Sequence, residues 1–163
     1  FRVHLKAIFE TLNVNLKIDI TTGDKITPKE IQFVYPAILN DSYISVFAYN
    51  IETILAEKIE TILSRSIANT RMRDFYDLHL LYQLYEKNID FNVLSNAINN
   101  TCQKRNSSYV FKSFNEICDS LIESKIMQKQ WDIYQKEYCY AESITWPIII
   151  KSLKEVLLKL TTI

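Results

Sequence analysis

The sequence predicts an α+β fold, a short β-rich N-terminal part followed by a predominantly α-helical bundle. Three observations carry this. Apolar residues recur at a period of about two up to Ala48, and at about three and a half after Asn50. Turn chemistry, Thr21-Thr22-Gly23-Asp24, interrupts only the first part. One glycine and three prolines in 163 residues leave little room for flexible linkers, so the second part should be continuous packed helix. Residues 1–48 and 49–163 are the expected domains.

The N-terminal elements are extended. Residues 2–9 alternate or run apolar, and in 14–20 Val14, Leu16, Ile18 and Ile20 project one way while Asn15, Lys17 and Asp19 project the other. Residues 31–35, before Pro36, and 44–48 are two shorter extended pieces that should complete a small sheet. Helices are expected over 51–67, 71–87, 92–103, 110–124, 125–138 and 146–160. Asn50 can cap the first, and Thr145 can cap the last, where Pro147 falls in the tolerant opening turn. Residues 99–108, NNTCQKRNSS, are the most polar stretch and read as a surface loop around a helix end. There is no internal repeat.

Composition excludes several classes. Nineteen basic residues balance nineteen acidic ones, which argues against a broad electrostatic grip on nucleic acid and leaves room only for a local basic site. The longest apolar runs are a few residues, far short of a bilayer span, and no signal peptide is visible. Cys102, Cys118 and Cys139 are odd in number and lack a C-x-x-C pair, so neither a disulfide framework nor a zinc site is expected, and a reducing cytoplasm is the natural setting. No glycine-rich phosphate loop and no G-x-S-x-G occurs. The chain begins with Phe1 in what reads as mid-strand, and is expected to be a fragment.

Lys58 is out of place in its own helix. At about 100° per residue, Ile51, Ile54, Leu55, Ile59 and Ile62 share one arc, and Lys58 falls in its middle, while Glu52, Glu57 and Glu60 lie at the edge or beyond. An ammonium there must snorkel or meet an anion, either a carboxylate of another helix or a ligand phosphate. The next helix offers partners in RMRDFYDLHLLYQLY. Asp74 falls within its apolar arc and Asp77 between Leu81 and Leu84, with Arg71 and Arg73 just ahead. Arg65 lies seven residues after Lys58, near the same line. Asp19, on the polar face of its strand and close to its end, is either a solvent-facing carboxylate or a group that binds Mg2+ or activates a hydroxyl. His4 and His79 lack ligand spacing, and Trp131 with Tyr134 read as core anchors.

The succession KIDITTGD, YNIETILAEKIETILSR and RMRDFYDL resembles the later part of the AbiEii/AbiGii nucleotidyltransferase toxin family, within the polymerase-beta-like nucleotidyltransferases. The specific motifs run from about residue 15 to 85, and a looser likeness continues through the C-terminal helices. The family's lone strand aspartate is matched by Asp19, its Thr-to-Lys motif by Thr53 and Lys58, and its Arg-to-Asp motif by Arg73 and Asp77. The family's preceding motif, Gly-Ser followed by Asp-x-Asp, is absent, and no D-x-D occurs anywhere. On this resemblance residues 1–48 are the C-terminal part of a nucleotidyltransferase domain, a remnant of its sheet.

The resemblance implies transfer of a nucleotide from a nucleoside triphosphate to an acceptor hydroxyl, of tRNA or of a protein, with Mg2+ ions aligning the reacting groups. Asp19 would bind a metal and position the hydroxyl. Lys58 would face the phosphates, and Asp77 would orient or deprotonate. Thr53, Arg73 and Arg65 would bind substrate, with Asp74 and Arg71 supporting from behind. A prokaryotic cytoplasm and a cognate antitoxin are implied as well. Lacking the paired aspartates, this chain is expected to be inactive alone. The rival expectation is a non-catalytic helical domain that binds an antitoxin or another protein, and a nucleic-acid-binding helical domain is disfavoured by the neutral charge.

Overall fold

A computed structural model describes residues 1–161. Four strands precede six helices, as the change of period predicts, but the strands form two separate two-stranded sheets instead of one. β1 (Arg2–Phe9) pairs antiparallel with β2 (Leu12–Asp19), and β3 (Ile31–Pro36) pairs with β4 (Tyr43–Ala48). Glu10 takes a left-handed conformation, φ 51°, so the first hairpin turns in two residues and zips from Phe9–Leu12 outward; β2 therefore starts at Leu12, earlier than the alternation suggests.

Cross-strand partners share a face. Val3–Ile18, Leu5–Leu16 and Ala7–Val14 make one face of the first hairpin apolar, and Arg2–Asp19, His4–Lys17 and Lys6–Asn15 make the other polar. Ile31–Ala48, Phe33–Val46 and Tyr35–Ile44 repeat the pattern in the second. Both apolar faces remain largely exposed.

The helices are α1 (Ile51–Arg65), α2 (Met72–Tyr85), α3 (Phe91–Arg105), α4 (Phe114–Glu123), α5 (Lys125–Glu137) and α6 (Trp146–Thr161). Caps fix their starts. Asn50 Oδ1 accepts from the Thr53 amide at 2.8 Å, Asp90 accepts from the amides of Asn92 and Val93, and Ser124 Oγ accepts from that of Met127. At α6 the Thr145 carbonyl accepts from the Ile148 and Ile149 amides. α1 stops at Arg65, two residues short of its expected end at 67, because Ser66 adopts φ 46° and a short 3-10 turn follows. α3 ends in the polar stretch where Asn106 takes the left-handed conformation, φ 54°.

The core lies among the helices. α1 packs on α2 and α3, and α6 packs on α2, α3 and α4. Leu55, Ile59 and Ile62 of α1, Phe75 and Leu78 of α2, and Ile149, Leu153, Val156 and Leu157 of α6 are buried. Trp131 and Tyr134 are the expected anchors, stacked with centroids 5.3 Å apart. Trp131 Nε1 donates to the Ile144 carbonyl at 2.7 Å and Trp146 Nε1 to the Leu121 carbonyl at 3.0 Å, so neither indole leaves a buried donor unmet. The strands are fastened to this core through their connections. Asn50 Nδ2 donates to the Thr27 carbonyl, Asn100 Nδ2 to Thr27 Oγ1, and Lys104 pairs with Asp24 at 2.5 Å.

Two acids of α1 depart from the wheel reading. Glu52 and Glu60 are buried, not at the rim of the apolar arc. Glu52 Oε1 accepts from the Asp90 amide at 3.1 Å. Glu60 accepts from Arg105 at 2.5 Å and from Ser107 Oγ at 2.7 Å, so the polar loop after α3 is tied to α1 by charge. The cysteines are free, and burial pushes the Cys118 thiol up to about 11, which leaves it unreactive.

Two predictions follow from this packing. Replacing Glu60 by Ala removes charge-assisted bonds from a buried position and should lower stability by about 1.5–3 kcal/mol in urea unfolding. His79, half-buried with Nδ1 2.7 Å from Ser152 Oγ, has its pKa lowered by burial. The unfolded chain then takes up the proton first on acidification, so stability tied to neutral His79 is present above the ordinary histidine pKa and is lost as pH falls below it. The stability difference between the native protein and His79→Gln should shrink from pH 7 to pH 5 in paired urea titrations.

Candidate functional site

The α1–α2 pair holds the charged cluster. Lys58 extends from α1 toward α2 beside buried Leu55, Ile59 and Ile62, with only 18 % of its side chain exposed. Its Nζ donates to Asp77 Oδ2 at 2.7 Å and to Asp74 Oδ1 at 3.2 Å. Arg73 Nε stands 3.8 Å from the same Asp77 oxygen, one helical turn earlier on α2. The sequence-level puzzle of an ammonium in an apolar arc is thus answered by two carboxylates.

Local geometry makes this possible. After the 3-10 turn, the Asn69 amide donates to the Ser66 carbonyl and Asn69 Oδ1 accepts from the Arg71 amide at 2.9 Å, which sets the direction in which α2 departs. Asp74 then falls in the first turn of α2, where the helix dipole favours a carboxylate, and Asp77 follows about one turn later. An ammonium has three donors, and the aspartates engage two of them. The third has no partner among the described residues.

Other expected residues lie apart from the cluster. Thr53 is buried one and a half turns before Lys58, on a different face of α1; its hydroxyl accepts from the Thr27 amide at 3.0 Å and holds the strand connection against the helix. Arg65 is exposed at the end of α1 and has no ion pair among the described residues. Arg71 is exposed immediately before α2 and likewise has no ion pair among the described residues. Asp74, expected to support from behind, touches Lys58 directly.

Asp19 sits at the end of β2, where Arg2 grips both its oxygens at 2.6 and 2.9 Å and holds its carboxyl below the usual carboxylate range. No hydrogen bond or ion pair among the described residues joins it to Lys58. Nor does Asp19 by itself make a cation site: Arg2 occupies both oxygens, and among the described residues no three His, Cys, Asp or Glu side chains gather closely enough to hold an ion.

A cleft of about 490 Å³ adjoins the cluster, between residues 70–74 at the start of α2 and the outer side of α5. Arg71, Arg73, Asp74, Gln130, Tyr134 and Tyr138 are on its walls, so Asp74 belongs both to the cleft and to the Lys58 ion pair. Tyr134 lies within electrostatic reach of Asp77 and Arg73; burial first, and then its bond to the Tyr140 hydroxyl at 2.9 Å, push its phenol well above the ordinary value. Gln130, partly buried on α5, and Tyr138, just after its end, escaped the sequence reading, which had no signal for either.

No curated protein and no solved structure matches the chain. A family model does, that of the nucleotidyl transferase AbiEii toxin of type IV toxin–antitoxin systems, over residues 1–155, which take in both hairpins and the whole Lys58 cluster. The chain therefore belongs to the AbiEii nucleotidyl transferase toxin family.

Proposed function

We propose that this chain contributes the phosphate-facing helical part of a nucleotidyltransferase site in a toxin–antitoxin or abortive-infection system. Lys58 neutralises phosphate charge on a nucleoside triphosphate, and Asp77, 2.7 Å from it, orients or deprotonates the acceptor hydroxyl. Arg73 stands on the flank of Asp77 to bind substrate, and Asp74 holds the lysine from the cleft side. The hydroxyl attacks the α-phosphate in line and pyrophosphate leaves. The observation that carries this reading is a lysine pinned by two aspartates with its third donor unspent, since rigid placement of a cation is what stabilising a charged transition state requires.

Thr53 serves the site by fixing the start of α1, and Arg65 lies in reserve for an extended substrate such as tRNA; a protein hydroxyl is the other acceptor class. The Mg2+ of the family's reaction would need carboxylates beyond Asp19, which these 163 residues do not supply as a D-x-D pair. The chain by itself is accordingly inactive in transfer. A cognate antitoxin and a prokaryotic cytoplasm go with this reading; among the described residues no helix is long and apolar enough to cross a membrane.

A second reading has its own observation. Lys58 and Arg73 balance Asp74 and Asp77, two cations against two anions, as a purely structural network in an antitoxin-binding or other interaction domain would.

The test is transfer of label from α-32P nucleoside triphosphates to tRNA and to total protein by the product of the complete reading frame. Lys58→Ala and Asp77→Ala should each reduce transfer by about a hundredfold or more while the far-ultraviolet spectrum stays native. Transfer that survives in both variants, with only a lowered melting temperature, would leave Lys58 an ion-pair partner and favour the interaction domain. The 163-residue chain alone should transfer no label, and transfer by it would show that the missing D-x-D is dispensable.

A further inference from the structure

We propose that the cleft between the start of α2 and α5 binds a mononucleotide unit, with its phosphate on Arg71, its base against Tyr138 and its base edge read by Gln130. The inference rests on the nucleotidyltransferase reading only for its purpose; the chemistry of the walls stands by itself. The cleft's volume, about 490 Å³, falls in the range of small-molecule sites, roughly 300–1,000 Å³.

Its charges are unevenly spoken for. Asp74 is answered by Lys58, and Glu137 lies beside Tyr138, whose phenol it holds above the ordinary value. Arg71, by contrast, has no ion pair among the described residues, so an anion entering here meets an uncommitted guanidinium, whose planar fork suits phosphate oxygens.

The aromatic wall is equally specific. Tyr138 is 36 % exposed, and its ring is braced from behind by Tyr134 at 4.7 Å and Tyr140 at 5.4 Å between centroids. A braced, partly exposed ring on the same cleft as an arginine without an ion pair offers one surface for a base and one for its phosphate.

Gln130 adds the third element. Its Oε1 is buried without a hydrogen-bond partner, one of two such side-chain atoms among the described residues; the other, Asn69 Nδ2, belongs to the residue preceding the wall residue Thr70. An unmet buried acceptor costs stability unless a donor arrives, and a swing of the long glutamine side chain into the cleft lets its amide pair with a base edge as both donor and acceptor.

The experiment measures binding of AMP, adenosine, ribose 5-phosphate and IMP to the full 163-residue chain by equilibrium dialysis. AMP should bind about tenfold or more tightly than adenosine and than ribose 5-phosphate. Arg71→Ala should bring AMP down to the adenosine value and leave adenosine unchanged. Tyr138→Ala should bring it down to the ribose 5-phosphate value, whereas Tyr138→Phe, which keeps the ring and the packing, should bind as the native protein does. Gln130→Leu should erase the difference between AMP and IMP.

Displacement of bound AMP by ATP but not by oligo(A) of three residues makes the nucleoside triphosphate the occupant; the reverse makes it an RNA 3′ end. Equal binding of AMP, adenosine and ribose 5-phosphate, AMP binding indifferent to Arg71→Ala and Tyr138→Ala in folded variants, or equal native binding of AMP and IMP would overturn the assignment. AMP binding that depends on the cleft, in a protein whose complete reading frame transfers no label, would sink the transferase reading alone; label transfer without cleft-dependent binding would sink only the cleft.

Discussion

An ammonium with less than a fifth of its side chain in water has to be met by anions, and the arrangement of α1 against α2 answers that constraint. Asp74 and Asp77 stand on the side of α2 that a packing helix would give to leucine, and Phe75, Leu78 and Tyr82 carry the packing beside them. The two kinds of residue share one interface. Apolar burial fixes the distance between the helices, and that distance fixes how far the lysine must reach. Removing either aspartate would leave a partly buried charge with half its neutralisation, which is why the cluster and the core cannot be varied independently.

The strand region follows other rules. Two hairpins with one apolar face each are joined to the helices through connections, Thr27 to Asn50, Thr53 and Asn100, and Asp24 to Lys104, while their broad apolar faces stay open. Isolated two-stranded sheets are marginal in water, so these polar fastenings do more for the position of the strands than the strands' own side chains do. Asp19 illustrates the division: it is rigid through Arg2 and its own hairpin, and owes nothing to the Lys58 cluster.

How much of this could be read from the chain depends on the range of each interaction. Lys58 betrayed itself because a helix wheel needs only local periodicity, and Asp74 and Asp77 lie 16 and 19 residues away on the next helix, where the same method applies. Strand existence was legible by alternation. Strand pairing was not, since nothing in an alternating pattern tells one four-stranded sheet from two hairpins, nor names Arg2 as the partner of Asp19. Glu60 was misjudged because its partners, Arg105 and Ser107, sit more than forty residues on, in a stretch that read only as polar loop. Gln130 and Tyr138 acquire meaning solely through the docking of α5 beside the start of α2, a tertiary fact with no periodic trace.

The short link between α1 and α2 bears on how the chain acquires its site. Lys58 and its aspartates close a loop of fewer than twenty residues, whereas the His79–Ser152 bond that helps join α2 to α6 spans 73. Loop-closure entropy grows with the length enclosed, and local contacts can form before distant ones are secured. The charged pocket therefore encloses far less chain than the junction of α2 with α6, and a chain emerging from the ribosome carries every residue of it long before α6 is synthesised.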